Sequence, residues 1–136
     1  MPVIVVANPK GGVGKSTLAT NVAGYFASRG HAVMLGDIDR QQSSRTWLSI
    51  RPPTVAPIRP WEVVHGEVVR PPRGTTHVVL DTPAGLHGKR LDEVMKLADK
   101  VLVPLQPSLF DIQATHGFVR TLQAHKRADR VQLGIV

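Results

Sequence analysis

Apolar residues along the chain fall into short unbroken runs and into helical stripes, and the two alternate. Val3 to Ala7 is an apolar run of the kind that forms a strand buried on both faces. Leu18, Val22, Ala23, Phe26 and Ala27 then recur at helical spacing, predicting a helix from Lys15 to Arg29 that Gly30 ends. Ala32 to Leu35 predicts a second buried strand leading into Gly36-Asp37-Ile38-Asp39, and a short helix follows over Ser43 to Ile50. Pro52, Pro53, Pro57 and Pro60 make the next segment a loop or an irregular edge, with a short strand allowed over Val55 to Ile58. Trp61 to Val69 fits no single period, and Arg70 to Thr76 is loop. His77 to Leu80 predicts a strand that ends at Asp81, Leu91 to Ala98 a helix, and Val101 to Pro104 a strand. Asp111 to Arg127 predicts a further helix with Asp111 as a candidate cap, and Val131 to Val136 begins a last strand. Strands alternating with helices give an α/β fold with a mainly parallel sheet and helices on both faces. No internal repeat is visible, and the pieces flanking the proline-rich segment are too short to be domains, so residues 1–136 are expected to form a single domain.

Composition narrows the chemistry. Hydrophobic residues make up 42% of the chain and aromatics only 4%, so the core is aliphatic. Cysteine is absent, which excludes disulfides, thiolate metal sites and iron–sulfur clusters. No run approaches the roughly 18 apolar residues of a membrane span, and no signal-peptide core precedes the first strand. The cytoplasm is the expected location. Lys and Arg outnumber Asp and Glu by 17 to 10, a net charge of +7 that favours polyanionic partners: DNA, RNA or anionic lipid.

The most specific signal is Lys10-Gly11-Gly12-Val13-Gly14-Lys15-Ser16, set between the first strand and the first helix. Glycines let backbone N–H groups turn inward around an anion, and the helix N-terminus adds partial positive charge. Lys15 is placed to reach the outer phosphates of a nucleotide, the Ser16 hydroxyl to ligate Mg²⁺, and Thr17 to complete the cradle. Pro9 stands where the usual P-loop has its first glycine, and Lys10 adds a second lysine. Two more strand ends carry acids: Asp37 and Asp39 after the second strand, and Asp81 in Val78-Val79-Leu80-Asp81. In an open parallel sheet such ends line one crevice. A carboxylate directly after an apolar strand is the Walker B pattern, which holds Mg²⁺. A P-loop NTPase fold follows from the three together.

Other residues have plainer readings. Asp37 serves a loop brace as well as it serves catalysis. Asp92, Glu93 and Asp99 look like solvated helix faces. The six histidines, 31, 65, 77, 87, 116 and 125, lack ligand spacing. Trp47 and Trp61 have no aromatic cluster around them and suit packing better than base stacking.

Lys-Gly-Gly-Val-Gly-Lys-Ser resembles the deviant Walker A box of the ParA/MinD ATPases. Asp37-Ile38-Asp39-Arg40-Gln41-Gln42 is similar to that family's Asp-x-Asp-Pro-Gln box, with Arg40 in place of proline. Asp81-Thr82-Pro83-Ala84-Gly85 resembles its Walker B and switch segment, and Pro104-Leu105-Gln106-Pro107 its stretch after the fifth strand, which shapes the dimer face. The nitrogenase iron protein, a relative with a similar loop, is set aside because it needs cysteines. The resemblance implies ATP and Mg²⁺ as cofactors, bound by Lys10, Gly11, Gly12, Val13, Gly14, Lys15, Ser16 and Thr17, with Ser16, Asp39 and Asp81 near the metal. It implies that Lys10 crosses to the partner's phosphates in an ATP-bound homodimer, that Asp39 positions or activates the attacking water, and that Lys15 acts on the outer phosphates.

Taken over to the whole chain, the resemblance implies an ATPase that binds DNA non-specifically on the nucleoid. A partner protein would stimulate it, and its task would be partitioning a plasmid or chromosome or positioning a large protein cluster. Arg70, Arg73, Lys89, Arg90, Arg120, Lys126 and Arg127 are the candidate DNA contacts. Family members continue past Val136 with an adenine-contacting loop and further helices, so the expectation is a truncated or compact variant. Two alternatives stand beside it: a nucleotide-binding module without turnover, and a MinD-like regulator at a membrane.

Overall fold

A computed structural model of the chain describes residues 1–39, 41–64, 67–68 and 71–136. In chain order its elements are β1 (Val3–Val6), α1 (Lys15–Ser28), β2 (Val33–Asp37), α2 (Ser43–Ser49), β3 (Ile58–Trp61), β4 (Val63–Val64), β5 (Glu67–Val68), β6 (His77–Asp81), α3 (Gly88–Leu97), β7 (Lys100–Val103), α4 (Leu109–Ala124) and β8 (Gln132–Ile135). A 3-10 turn at Ala128–Arg130 precedes β8. The sheet has six strands in the order β3-β2-β6-β1-β7-β8, and every pairing in it is parallel. This is the P-loop NTPase architecture expected from the alternation of runs and stripes.

Alternation of side chains along each strand divides the core in two. Val3, Val5, Val78, Leu80, Val101 and Val103 face one side, where Leu91, Val94 and Met95 of α3 and Phe118 and Leu122 of α4 cover them. Val6, Val33, Leu35 and Val79 face the other, against Ala19, Ala23 and Ala27 of α1. Alanine at that four-residue spacing lets α1 lie close to the sheet. Each fully buried Val or Leu contributes about 1.5–3 kcal/mol. α1 ends because Gly30, at φ +85°, adopts a left-handed conformation one residue past the cap. Its N–H donates to Ala27 O at 3.0 Å and His31 N–H to Phe26 O at 3.1 Å, which satisfies the last carbonyls.

Several boundaries differ from expectation. The proline-rich edge strand forms at Ile58–Trp61, with Pro60 inside it, rather than at Val55 to Ile58. An edge position allows this because proline has no N–H to give to an outer neighbour. Trp61 anchors the strand: it is buried, and a Cβ on Gly36 would lie 2.9 Å from its ring. The ambiguous stretch after it contains the short antiparallel pair β4 and β5. His65, Val69, Arg70 and the proline replacement Arg40 lie outside the described residues. α3 starts at Gly88 rather than Leu91. α4 is capped not by Asp111 but by Ser108, whose Oγ accepts the Asp111 N–H at 3.2 Å. The Asp111 carboxylate accepts the Ser108 hydroxyl on Oδ2 in return, which leaves Oδ1 for a second partner.

Candidate functional site

Register sets the site. Val6 pairs with Asp81, and Asp81 with Asp37, so the ends of β1, β6 and β2 stand at one level. Just past β1 the chain turns into the glycine loop. Gly12 at φ +72° and Gly14 at φ +90° hold conformations that side-chain-bearing residues rarely adopt. Gly14 is the N-cap of α1 and supplies no side-chain acceptor, so no capping side chain occupies the opening N–H groups of the helix. Those groups and the glycine backbone form an anion cradle. Val13 is buried and anchors the loop, and Gly11 packs near Ala84, to whose Cβ an added methyl would come within 3.9 Å. Lys15 is buried and arches over the loop, its Nζ donating to Lys10 O at 2.7 Å. Burial lowers its pKa, and the charges of Asp81 and Asp39 pull the other way.

Asp81 is fully buried. Its Oδ2 accepts from Ser16 Oγ at 2.6 Å and from Ser44 Oγ at 2.7 Å, while its Oδ1 is buried without a hydrogen-bond partner. Burial raises its pKa, and the two hydroxyls oppose the rise. A buried carboxylate oxygen left unpaired is costly. Beside the hydroxyl of Ser16, with Asp39 on the cavity wall, it is the hard oxygen set that suits Mg²⁺. Among the described residues no group of three or more His, Asp or Glu could hold a metal by itself. Mg²⁺ ordinarily fills its shell with water and substrate phosphate oxygens, so the residues present fit it.

The two acids at the end of β2 have separate tasks. Asp37 is a brace: Oδ1 accepts Asp39 N–H at 3.0 Å, and Oδ2 accepts Ser44 N–H at 2.9 Å and Arg45 N–H at 3.2 Å. It holds the start of α2, and with it Ser44, against Asp81. Burial raises its pKa, and these backbone N–H groups oppose the rise. The Asp39 carboxylate accepts Gln41 N–H at 3.1 Å and faces the cavity. That cavity, of about 820 Å³, is lined by Gly11, Gly12, Gly14, Lys15, Ser16 and Thr17, by Asp39, and by the segment from Pro83 to Arg90.

Lys10 does not line it. Its Nζ lies 2.7 Å from Asp111 Oδ1, at the start of α4, and its N–H donates to Asn8 Oδ1 at 2.9 Å. The lysine holds the Asp111 carboxyl below the usual range, with help from Ser108. Asn8, fully buried, ties this corner together by donating to Pro104 O at 2.8 Å and Thr115 Oγ1 at 3.1 Å. Sequence reasoning missed Ser44, Asn8 and the Lys10–Asp111 pair, because each depends on contacts across tens of residues. Asp99, read as a solvated helix face, instead accepts Val3 N–H on Oδ2 at 2.7 Å, and Asp92 pairs with His125 at 2.8 Å. The candidate DNA contacts fall in different places: Lys89 and Arg90 line the cavity, whereas Arg73 precedes β6 and Lys126 and Arg127 follow α4, at the far end of the sheet.

The glycine cradle, the buried strand-end acid and the parallel sheet define a nucleotide-binding P-loop protein. Residues 4–136 match the CobQ/CobB/MinD/ParA nucleotide binding domain, and the chain belongs to that family. It is 34% identical over 112 residues to the maintenance of carboxysome distribution protein A of Gloeobacter kilaueensis, covering 81% of this chain and 51% of that protein. It is 28% identical to the chromosome-partitioning ATPase Soj of Thermus thermophilus, covering 88% of this chain and 61% of that one. The chain thus spans between half and two thirds of the length of these relatives. Among solved structures, the MinD cell division protein of Aquifex aeolicus superposes with a TM-score of 0.76 at 20% identity, over 100% of this chain and 68% of that one. Cobyrinic acid a,c-diamide synthase from Mycobacterium smegmatis, solved with an ATP analogue and magnesium, gives 0.72 at 22% identity, over 100% and 74%. The pNOB8 ParA bound to nonspecific DNA gives 0.67 at 16%, over 87% and 58%. At these identities the structures speak for the fold.

Proposed function

We propose that the chain is the nucleotide-binding part of a ParA-type ATPase that binds Mg-ATP, pairs with a second copy, and holds DNA through its positive charge. The observation that carries this reading is the unpartnered Oδ1 of Asp81, buried beside Ser16 in the first turn of α1. A site complete in itself would leave no such oxygen. Mg²⁺, when bound, would neutralise phosphate charge. The chain's own residues do the rest. The N–H groups of the loop and of α1 hold the phosphates, and Lys15 turns from Lys10 O toward them. Asp37 and Ser44 keep Asp81 in place, and Asp39 orients water for attack on the terminal phosphate.

Pairing of two copies is supported by the surface beside Lys10. Leu109, Phe110 and Ile112 are exposed at 66%, 75% and 48% in the first turns of α4, flanking the Asp111 that holds Lys10. Gln106, just ahead, donates to Gly12 O at 3.0 Å and joins that surface to the cradle. An apolar patch around a poised lysine suits a second copy whose phosphates draw the lysine across. Non-specific DNA binding rests on the net charge of +7 and on relatives named for partitioning. The role in partitioning or cluster positioning, a stimulating partner, one compact domain and a cytoplasmic, nucleoid-associated location belong to the same reading. Among the described residues no helix is long and apolar enough to cross a membrane.

The test is calorimetry with Mg-ATP followed by ultracentrifugation, with and without ATP, on wild type and Lys10→Ala. ATP should bind both, dimerise the wild type and leave Lys10→Ala monomeric. DNA retention should follow dimerisation and fall steeply with salt. A wild type that ignores ATP would overturn the reading at its root.

A further inference from the structure

Past β6 the chain runs through Pro83-Ala84-Gly85-Leu86-His87 and enters α3 at Gly88. Gly85 and Gly88 both take positive φ, +72° and +59°, and turn the segment back toward the cradle. Gly85 N–H donates to Pro9 O at 2.8 Å, and Leu86 is buried in the core below. With those anchors the first turn of α3 forms a wall of the phosphate cavity. Lys89 and Arg90 line the same cavity as Lys15, Ser16 and Asp39. Both are exposed, and among the described residues neither is paired with a carboxylate, whereas Lys10, Arg45 and His125 each are.

The charge balance of the cavity makes these cations useful. Asp39 and Asp81 bring negative charge to a place that must accept a polyphosphate. The glycine N–H groups serve the inner phosphates of a diphosphate and a triphosphate alike. A triphosphate carries additional charge at its outer end, and Lys10 is engaged elsewhere with Asp111. Resting on the nucleotide reading above, we propose that Lys89 and Arg90 bind the terminal phosphate from within the same chain. These two side chains then favour a nucleoside triphosphate over a diphosphate. An arginine fork and a lysine side by side match the oxygens of a terminal phosphate. Lys96, further along α3, does not line the cavity and serves as the internal control.

The experiment measures Mg-ATP and Mg-ADP affinity by calorimetry for wild type, Lys89→Ala/Arg90→Ala, the charge-keeping Lys89→Arg/Arg90→Lys, and Lys96→Ala. The double alanine variant should lose about tenfold or more in ATP affinity, the scale of a charge-assisted bond, and keep its ADP affinity. The charge-keeping variant should regain most of the loss, and Lys96→Ala should match wild type. Equal losses for both nucleotides, or none for either, would overturn the proposal. So would unchanged ATP affinity with lost DNA retention, which would assign the cations to nucleic acid. Circular dichroism of each variant, together with the charge-keeping swap, separates misfolding from lost contacts. If the wild type binds ADP but does not prefer ATP, this inference falls while the nucleotide reading survives. If it binds neither, both fall.

Discussion

The two ends of the sheet are made from the same strands and treat polarity in opposite ways. At the far end, where strands begin, polar groups are matched. Asp99 accepts the Val3 N–H, Thr76 Oγ1 accepts the Ala32 N–H at 3.1 Å, and the Gly30 turn consumes the last carbonyls of α1. At the crevice end, where strands finish, polarity is held in reserve. Asp81 keeps a buried oxygen unpaired, Lys15 rests on a neighbouring carbonyl, and α1 opens on a glycine without a cap. One end contributes stability, and the other retains unmet valence that a ligand can fill.

Substitutions should separate the two ends. The largest effect belongs to Lys15→Ala, which should abolish measurable ATP and ADP binding by calorimetry while leaving the thermal midpoint nearly unchanged, because removing a buried ammonium also removes its desolvation cost. A large loss of stability would mean that the crevice is structural after all. Next is Asp39→Ala, expected to slow ATP turnover by roughly a hundredfold with ATP affinity kept; unchanged turnover in a phosphate-release assay would move the water-positioning role elsewhere. Asp37→Ala sharpens the contrast between neighbours. Three backbone N–H groups lose their acceptor, so chemical denaturation should show a loss of about 1–3 kcal/mol, and an undisturbed midpoint would remove Asp37 as the brace.

Smaller effects are expected at the far end. Asp99→Ala should cost about 1 kcal/mol and leave nucleotide affinity alone; a changed affinity would show that the ends are coupled. The smallest effect is one of pH. His77 stacks on Phe26 at 4.2 Å and lies 4.3 Å from His31, ring to ring. Burial lowers its pKa below the ordinary 6.5, and His31 and the N-terminal amine add to the shift. The folded state therefore binds this proton less readily than the unfolded chain. Stability from this group is whole above pH 6.5 and is lost as pH falls through the folded value. Melting temperatures above and below pH 6.5 should differ more in wild type than in His77→Phe, and equal differences would rule out His77 as the cause.

Much of this was legible in the residues alone. Val3 to Val6 and Val78 to Leu80 read as buried parallel strands, because short unbroken apolar runs rich in valine leave no polar face. Gly12, Gly14, Lys15 and Ser16 named a phosphate cradle, because local backbone freedom and one cation make that chemistry within a single turn. Tertiary structure decided the rest. Asp37 and Asp39 are alike in sequence, and only the position of α2 makes one a brace and leaves the other facing the cavity. Asp111 has the spacing of a cap and becomes the partner of Lys10, because Ser108 takes the cap and α4 packs beside the loop. Lys89 and Arg90 look like any basic pair at a helix start until two glycine turns bring them onto the phosphate cavity. Local pattern fixes which backbone conformations are cheap. Which side chains then meet across about a hundred residues depends on sheet order and register, and neither has a local signature.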